Sequence, residues 1–288
     1  MNWLPPGFSA QVVEANGTRI SVATGGDGPP MVLLHGWPQT GRVWRKVMVP
    51  LAERYTVVVP DLRGAGDSDR PADGYTKTNQ ARDMHDVLHA LGLAGPAVVI
   101  GHDIGAMVGL GWAASIPEDV RALIMLDALL PGFGLEESMD VANGGMWHFG
   151  FFMTPDVPEM LFDGHELEFI TTMFPLLSGR ADAFTDEDFA YYAQAYRGRD
   201  RLRGGFAQYR ALLTDGRENR ALLADRHLTM PVLTVGAGAH LGDAPVPAPL
   251  SGHADDLTAL AAPTGHFVAE EDPGWLLATI STFLGERS

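Results

Sequence analysis

At 288 residues with 46% hydrophobic side chains, the chain has the size for one α/β domain carrying an insertion or for two small domains, and enough apolar residues for a sizeable core. A formal net charge of −16 sets it against phosphate backbones and anionic lipid, so neither nucleic acid nor a membrane is an expected partner. The absence of cysteine excludes disulfides, thiol nucleophiles and thiolate metal sites, and residues 1–6 lack the basic and apolar regions of a secretory signal, so a cytoplasmic location is expected.

Asn16-Gly17, between residues 11–14 and 18–22, is the dipeptide of a two-residue hairpin turn. Residues 31–34 (Met-Val-Leu-Leu) form a continuous apolar run, the pattern of a parallel strand buried on both faces. The run ends in His35-Gly36-Trp37-Pro38. Residues 44–51 read as a short helix and 56–59 as the next buried strand, followed by the loop Asp61-Leu62-Arg63-Gly64-Ala65-Gly66-Asp67-Ser68. Between 78 and 91, Met84, Val87, Leu88 and Leu91 recur at helical spacing. Residues 98–100 are a strand that stops at Gly101, and 122–126 another that stops at Asp127.

After Asp127 the alternation of strand and helix ceases. From 129 to 228 the sequence offers no strand, and aromatic residues and methionines crowd together at Met146, Trp147, Phe149, Phe151, Phe152 and Met153. With helical stretches at 186–196 and 206–213, this segment reads as an all-helical cap between two parts of one core, residues 1–128 and 229–288. The second part supplies strands at 231–235 and 256–260, a loop at 263–267 and a closing helix at 273–284. Residues 236–253, rich in Ala, Gly and Pro, give no secondary-structure signal. The pattern predicts an α/β fold with a mostly parallel, doubly wound sheet and an active site at the carboxyl ends of the strands.

The chemistry concentrates at Gly101-His102-Asp103-Ile104-Gly105, a strand–turn–helix of the form Gly-x-nucleophile-x-Gly with a carboxylate in the middle. A carboxylate there suits attack on an sp3 carbon, giving an ester that water must then cleave. Nucleophile, acid and histidine follow in that chain order. His266, in a Gly-His-Phe loop after the last strand, is the candidate general base. Two acids could orient it: Asp127, at a rigid strand end, and Asp243, deep in the proline-rich segment. Preorganisation favours Asp127. The backbone N–H groups of Trp37 and Ile104 are placed to form an oxyanion hole.

His35-Gly36-Trp37-Pro38-Gln39-Thr40, Asp61-Leu62-Arg63-Gly64-Ala65-Gly66-Asp67-Ser68, Gly101-His102-Asp103-Ile104-Gly105-Ala106 and Gly265-His266-Phe267 together resemble the α/β-hydrolases with an Asp nucleophile. That group holds epoxide hydrolases, haloalkane dehalogenases and fluoroacetate dehalogenases, and the resemblance spans nearly the whole chain. It implies an α/β-hydrolase fold, no metal or organic cofactor, a small hydrophobic substrate and a homodimer. A haloalkane dehalogenase is expected to carry Trp directly after the nucleophile, where this chain has Ile104. A fluoroacetate dehalogenase is expected to carry Arg there and three residues later, at Ile104 and Met107, and a His-Trp pair in the cap, where this chain has His148-Phe149. Gly204-Gly205-Phe206-Ala207-Gln208-Tyr209-Arg210-Ala211 resembles the cap helix that gives epoxide hydrolases one ring-opening Tyr, here Tyr209. The stretch around His148 resembles the Cif-type subgroup, in which His replaces the second Tyr. That subgroup places its relay acid where Asp127 lies, as Glu rather than Asp. The resemblance therefore implies an epoxide hydrolase with a pocket lined by His35, Met107, Met146, Phe149 and Phe152. The alternatives are a dehalogenase and a non-hydrolytic protein on the same scaffold.

Overall fold

The computed structural model describes residues 1, 3–93, 95–241 and 248–285. Its strands are β1 (Phe8–Ala15), β2 (Thr18–Gly25), β3 (Pro30–Leu34), β4 (Thr56–Pro60), β5 (Ala97–His102), β6 (Val120–Leu126), β7 (Val232–Ala237) and β8 (Leu257–Ala262). They make one sheet in the order β1-β2-β4-β3-β5-β6-β7-β8. β1 and β2 form the hairpin about Asn16-Gly17, both residues at positive φ (45° and 73°), as a twist-matched two-residue turn requires. β2 pairs antiparallel with β4, and every pairing from β4 across to β8 is parallel. The α/β-hydrolase fold expected from the sequence is the fold observed.

The apolar runs explain the central position of β3 and β5: all their residues are buried, with helices over both faces. One face carries the helices Lys77–Ala90 and Ile104–Ser115, with Met84, Met107 and Trp112 in the apolar layer. The other is covered by Trp44, Met48, Leu276 and Ile280, the last two from the closing helix Pro273–Phe283. Residues 44–51, expected as one helix, are instead a 3-10 turn, Gly41–Trp44, then a short helix, Met48–Ala52.

Between β6 and β7 the described residues form no strand longer than an isolated bridge. The helices here are Trp147–Met153, Val157–Phe162, Glu166–Leu177, Asp186–Ala195, Arg199–Arg210 and Leu212–Leu222. Thr185 and Asp188 form a reciprocal capping box that starts the fourth of them. The helix expected at 206–213 begins earlier, at Arg199, because Gly204 and Gly205 serve close packing rather than helix breaking. A Cβ on Gly204 would lie 2.5 Å from the Gly64 carbonyl oxygen, and one on Gly205 2.3 Å from Trp37 Nε1. Phe149, Phe152, Phe206 and Tyr209 therefore join the same buried cluster as Trp37 and Ile104, and the insert sits over the carboxyl ends of the strands.

Within residues 236–253, β7 extends to Ala237 and a helical turn follows at Gly238–Leu241. Asp243 lies outside the described residues. No helix among the described residues is long and apolar enough to cross a membrane.

Candidate active site

Asp103 stands at the turn between β5 and the helix Ile104–Ser115, with φ 50° and ψ −119°. A non-glycine residue rarely adopts that conformation, and the packing around it makes it obligatory. A Cβ on Gly101 would lie 2.3 Å from the Gly105 carbonyl oxygen, and one on Gly105 2.2 Å from that of Leu34, so only glycine lets helix and strand close on the turn. A Cβ on Gly36 would lie 2.6 Å from that of Asp103. The Trp37 N–H donates to Asp103 Oδ2 at 3.0 Å, and the adjacent Ile104 amide also favours the ionised carboxylate. Burial raises the Asp103 carboxyl above its ordinary value, against the opposing pull of His266 and of these two amides.

His266 is brought to the same strand edge by the loop after β8. Its Nδ1 lies 2.7 Å from Asp127 Oδ2. An Nδ1–H donated to that carboxylate leaves Nε2 free to accept a proton. Asp127, at positive φ (41°), is held at the end of β6 by its own N–H to the Val235 carbonyl (2.7 Å) and by the Ala237 N–H to Oδ1 (2.8 Å). Burial works against an ionised Asp127, but the hydrogen bond and charge of His266 prevail and hold it below the ordinary carboxylate value. For His266 the balance is the mirror image. Burial lowers it, yet the bond to Asp127 and the charges of Asp127 and Asp103 leave it raised.

Two further side chains fix this loop, and neither is marked in the sequence by more than its neighbourhood. His102 Nε2 lies 2.8 Å from the His266 carbonyl oxygen, with the two rings 4.5 Å apart, and burial pushes His102 down to about 3. Glu271 accepts the N–H groups of Gly179 (2.8 Å), Gly265 (2.9 Å) and Phe267 (3.0 Å).

Tyr209 rides on the helix Arg199–Arg210 and packs edge-on against Trp37, ring centroids 5.5 Å apart. Burial, and then the charges of Asp103 and Tyr196, push its phenol well above the ordinary value. The other buried phenols are engaged elsewhere: Tyr196 donates to the Gln39 carbonyl at 2.8 Å and Tyr192 to Glu270 at 3.0 Å. No hydrogen bond among the described residues engages the Tyr209 hydroxyl or the His148 ring. His148, on the helix Trp147–Met153, lies 6.4 Å from Tyr209 between ring centroids, and burial followed by the charge of His266 lowers it to about 4.

Of the expected wall residues, Met107, Phe149 and Phe152 are buried, with Phe152 5.0 Å from the rings of both Trp37 and Tyr209. Met146 is placed differently. As the extended N-cap of its helix it leaves the face that Phe149 and Phe152 share, and it is 47% exposed. His35 is not free to meet a ligand either. Its Nε2 accepts the Leu62 N–H at 3.0 Å and its Nδ1 reaches the Gly36 carbonyl at 2.8 Å, so the ring pins the loop after β3. Burial lowers it to about 4. No group of three or more His, Asp or Glu among the described residues could hold a metal ion.

Residues 29–151 match the family model of the alpha/beta hydrolase fold. The chain is 34% identical over 276 residues to a soluble epoxide hydrolase of Corynebacterium sp. (strain C12), covering 93% of this chain and 94% of that one. It is 32% identical over 214 residues to a fluoroacetate dehalogenase of Burkholderia sp, covering 71% and 69% respectively. Among solved structures, the Cif epoxide hydrolase from Acinetobacter nosocomialis superposes with a TM-score of 0.89 at 26% identity, over 97% of this chain and 90% of the other. With a full-length relative at this identity and an elbow, acid and histidine gathered on one sheet edge, the chain belongs to the α/β-hydrolase fold family and is a hydrolase.

Proposed function

We propose that the protein is an epoxide hydrolase acting on hydrophobic epoxides through an ester on Asp103. The observation that carries this reading is the pair of uncommitted donors, Tyr209 and His148, packed together in the insert, with apolar Ile104 and Met107 on the helix that follows the nucleophile. Epoxide opening needs a proton for a tethered alkoxide, which those donors can supply. Halide or halo-acid chemistry needs an indole N–H or a cation next to the nucleophile, and Ile104 and Met107 are both buried and apolar.

One Asp103 oxygen attacks an epoxide carbon from the face opposite the ring oxygen, forming the ester C–O bond as the ring C–O bond breaks. The ring oxygen takes the Tyr209 proton while His148, neutral at pH 7, donates a hydrogen bond. His266 Nε2 then removes a proton from water that attacks the ester carbonyl. The Trp37 and Ile104 N–H groups hold the oxyanion, and its collapse releases the vicinal diol and restores the Asp103 carboxylate. The His266 proton returns to the Tyr209 phenolate through solvent. Aromatic walls of Trp37, Phe149 and Phe152 favour an uncharged substrate.

The test is His266→Gln protein incubated with aryl and alkyl epoxides and with haloalkanes, read by intact mass spectrometry. A mass gain of one whole epoxide, mapped to the peptide bearing Asp103, is expected. A gain equal to a haloalkane less its halide would replace this reading with dehalogenation. No adduct from either panel would sink the covalent mechanism.

A further inference from the structure

We propose that Glu271 is a positioning residue for the water-activating step, gripping the His266 loop and tying it to the end of the insert helix Glu166–Leu177. The inference rests on the role proposed for His266. The Glu271 carboxylate is buried, and each of its oxygens has a separate task. Oε1 accepts the Phe267 N–H at 3.0 Å; Oε2 accepts the Gly265 N–H at 2.9 Å and the Gly179 N–H at 2.8 Å. His266 lies between the two loop donors, and its own N–H reaches across to the Leu177 carbonyl at 2.8 Å. The backbone is thus bound before, at and after the histidine.

The two segments touch through bare backbone. A Cβ on Gly265 would lie 2.2 Å from the Gly179 nitrogen, and one on Gly179 2.6 Å from the Gly265 nitrogen. Side-chain orientation of His266 comes from Asp127, but the height of the ring above the turn is set by this backbone, and Glu271 is the side chain that binds it on both sides. The adjacent Glu270 is occupied otherwise, with Arg45, Lys46 and Tyr192. Asp103 makes none of these contacts, since it stands on the turn after β5. Loosening the grip should therefore spare ester formation and slow ester hydrolysis.

Glu271→Gln preserves size but replaces one acceptor with an NH2 group, so one amide contact becomes donor against donor. Rapid-quench intact mass spectrometry and steady-state kinetics on the full chain read the consequence. The expected result is ester formation at the parental rate, hydrolysis slowed about tenfold, and a larger steady-state fraction of enzyme carrying ester. Once hydrolysis limits turnover, kcat and KM fall together and kcat/KM stays at the parental value. Glu270→Gln, which touches no amide of the His266 loop through its side chain, should lower the melting temperature without accumulating ester. A folded Glu271→Gln with parental ester levels, or with kcat/KM falling in step with stability, overturns the proposal. Should that variant fail to fold, Glu271→Asp keeps the charge but shortens the reach; the same accumulation is expected, and parental behaviour overturns the idea. Absence of ester in the His266→Gln control as well would instead defeat the covalent reading itself.

Discussion

Asp103, His266 and Asp127 form a line of alternating charge whose members shift one another. His266 is raised against its own burial by Asp127 and by Asp103. In the proposed intermediate Asp103 is an ester and has lost its charge, so one of the influences raising His266 disappears at the step that needs a free base. A raised pKa keeps the inactive, protonated form to higher pH. The acid limb of ester hydrolysis in the parent should then lie above that of the Asp127→Asn variant, in which the remaining support is gone. That variant should also lose on the order of 10³-fold in hydrolysis rate at its plateau, because the amide no longer selects the tautomer that leaves Nε2 free. Single-turnover hydrolysis of the ester across pH measures both. An acid limb that stays in place on Asp127→Asn would separate this acid from the histidine. Asp103, His266 and Asp127 were each legible because a strand end or a glycine turn marks them. Glu271 and His102 were not, because their partners are backbone groups that meet only in the folded chain, and Gly36 was not, because the Asp103 side chain for which it makes room reaches it only there.

The helix Arg199–Arg210 shows at the level of an element why the insert was harder to read than the core. Core strands announce themselves by unbroken apolar runs, and β3 to β6 fall where those runs predict. The helices from Trp147 to Leu177 are short, carry aromatic residues on several sides and include Pro175 within one of them, so no clean helical period emerges. Gly204-Gly205 is poor in helix propensity for the same reason that it matters. Alanine at Gly204 gains up to about 1 kcal/mol in helix propensity. Its methyl group, however, meets the Gly64 backbone, at 2.5 Å from the carbonyl oxygen and 2.9 Å from Cα, and neither atom can swing away as a side chain could. Overpacking of this kind costs about 1–3 kcal/mol, which outweighs the propensity gain. Gly204→Ala should accordingly be less stable in urea unfolding. It should also be slower in ester formation, since the same helix carries Tyr209. Greater stability would mean that the helix can retreat from the core without loss.

Over the whole molecule, insert and core are joined by buried polar contacts as well as by the aromatic cluster. Lys77 and Asp215 are both fully buried as side chains, with Nζ 3.2 Å from Oδ2. The Lys77 N–H also donates to Asp215 Oδ1 at 2.8 Å, and Nζ donates to the Gln208 carbonyl at 2.9 Å. Arg42 and Arg45 reach Asp188 of the insert in the same way, both at 2.8 Å. Breaking one side of such a pair leaves an uncompensated charge in the interior, at a cost of about 3–5 kcal/mol. Lys77→Met should therefore lower the urea midpoint strongly. Arg180→Ala, which removes a pair exposed to solvent at 51% and 75%, should leave it unchanged. The defect also has a sign in pH. Burial already raises the Asp215 carboxyl, and Lys77 is the first influence opposing it. Without Lys77 the folded-state pKa rises further above the unfolded value. A carboxylate so shifted costs stability at pH values above its unfolded pKa, and the cost disappears as the pH falls and the group is protonated in both states. The gap between parent and Lys77→Met should thus narrow steadily from pH 7 towards acid. A gap that is constant with pH would assign the loss to packing around the missing ammonium and not to the stranded charge of Asp215.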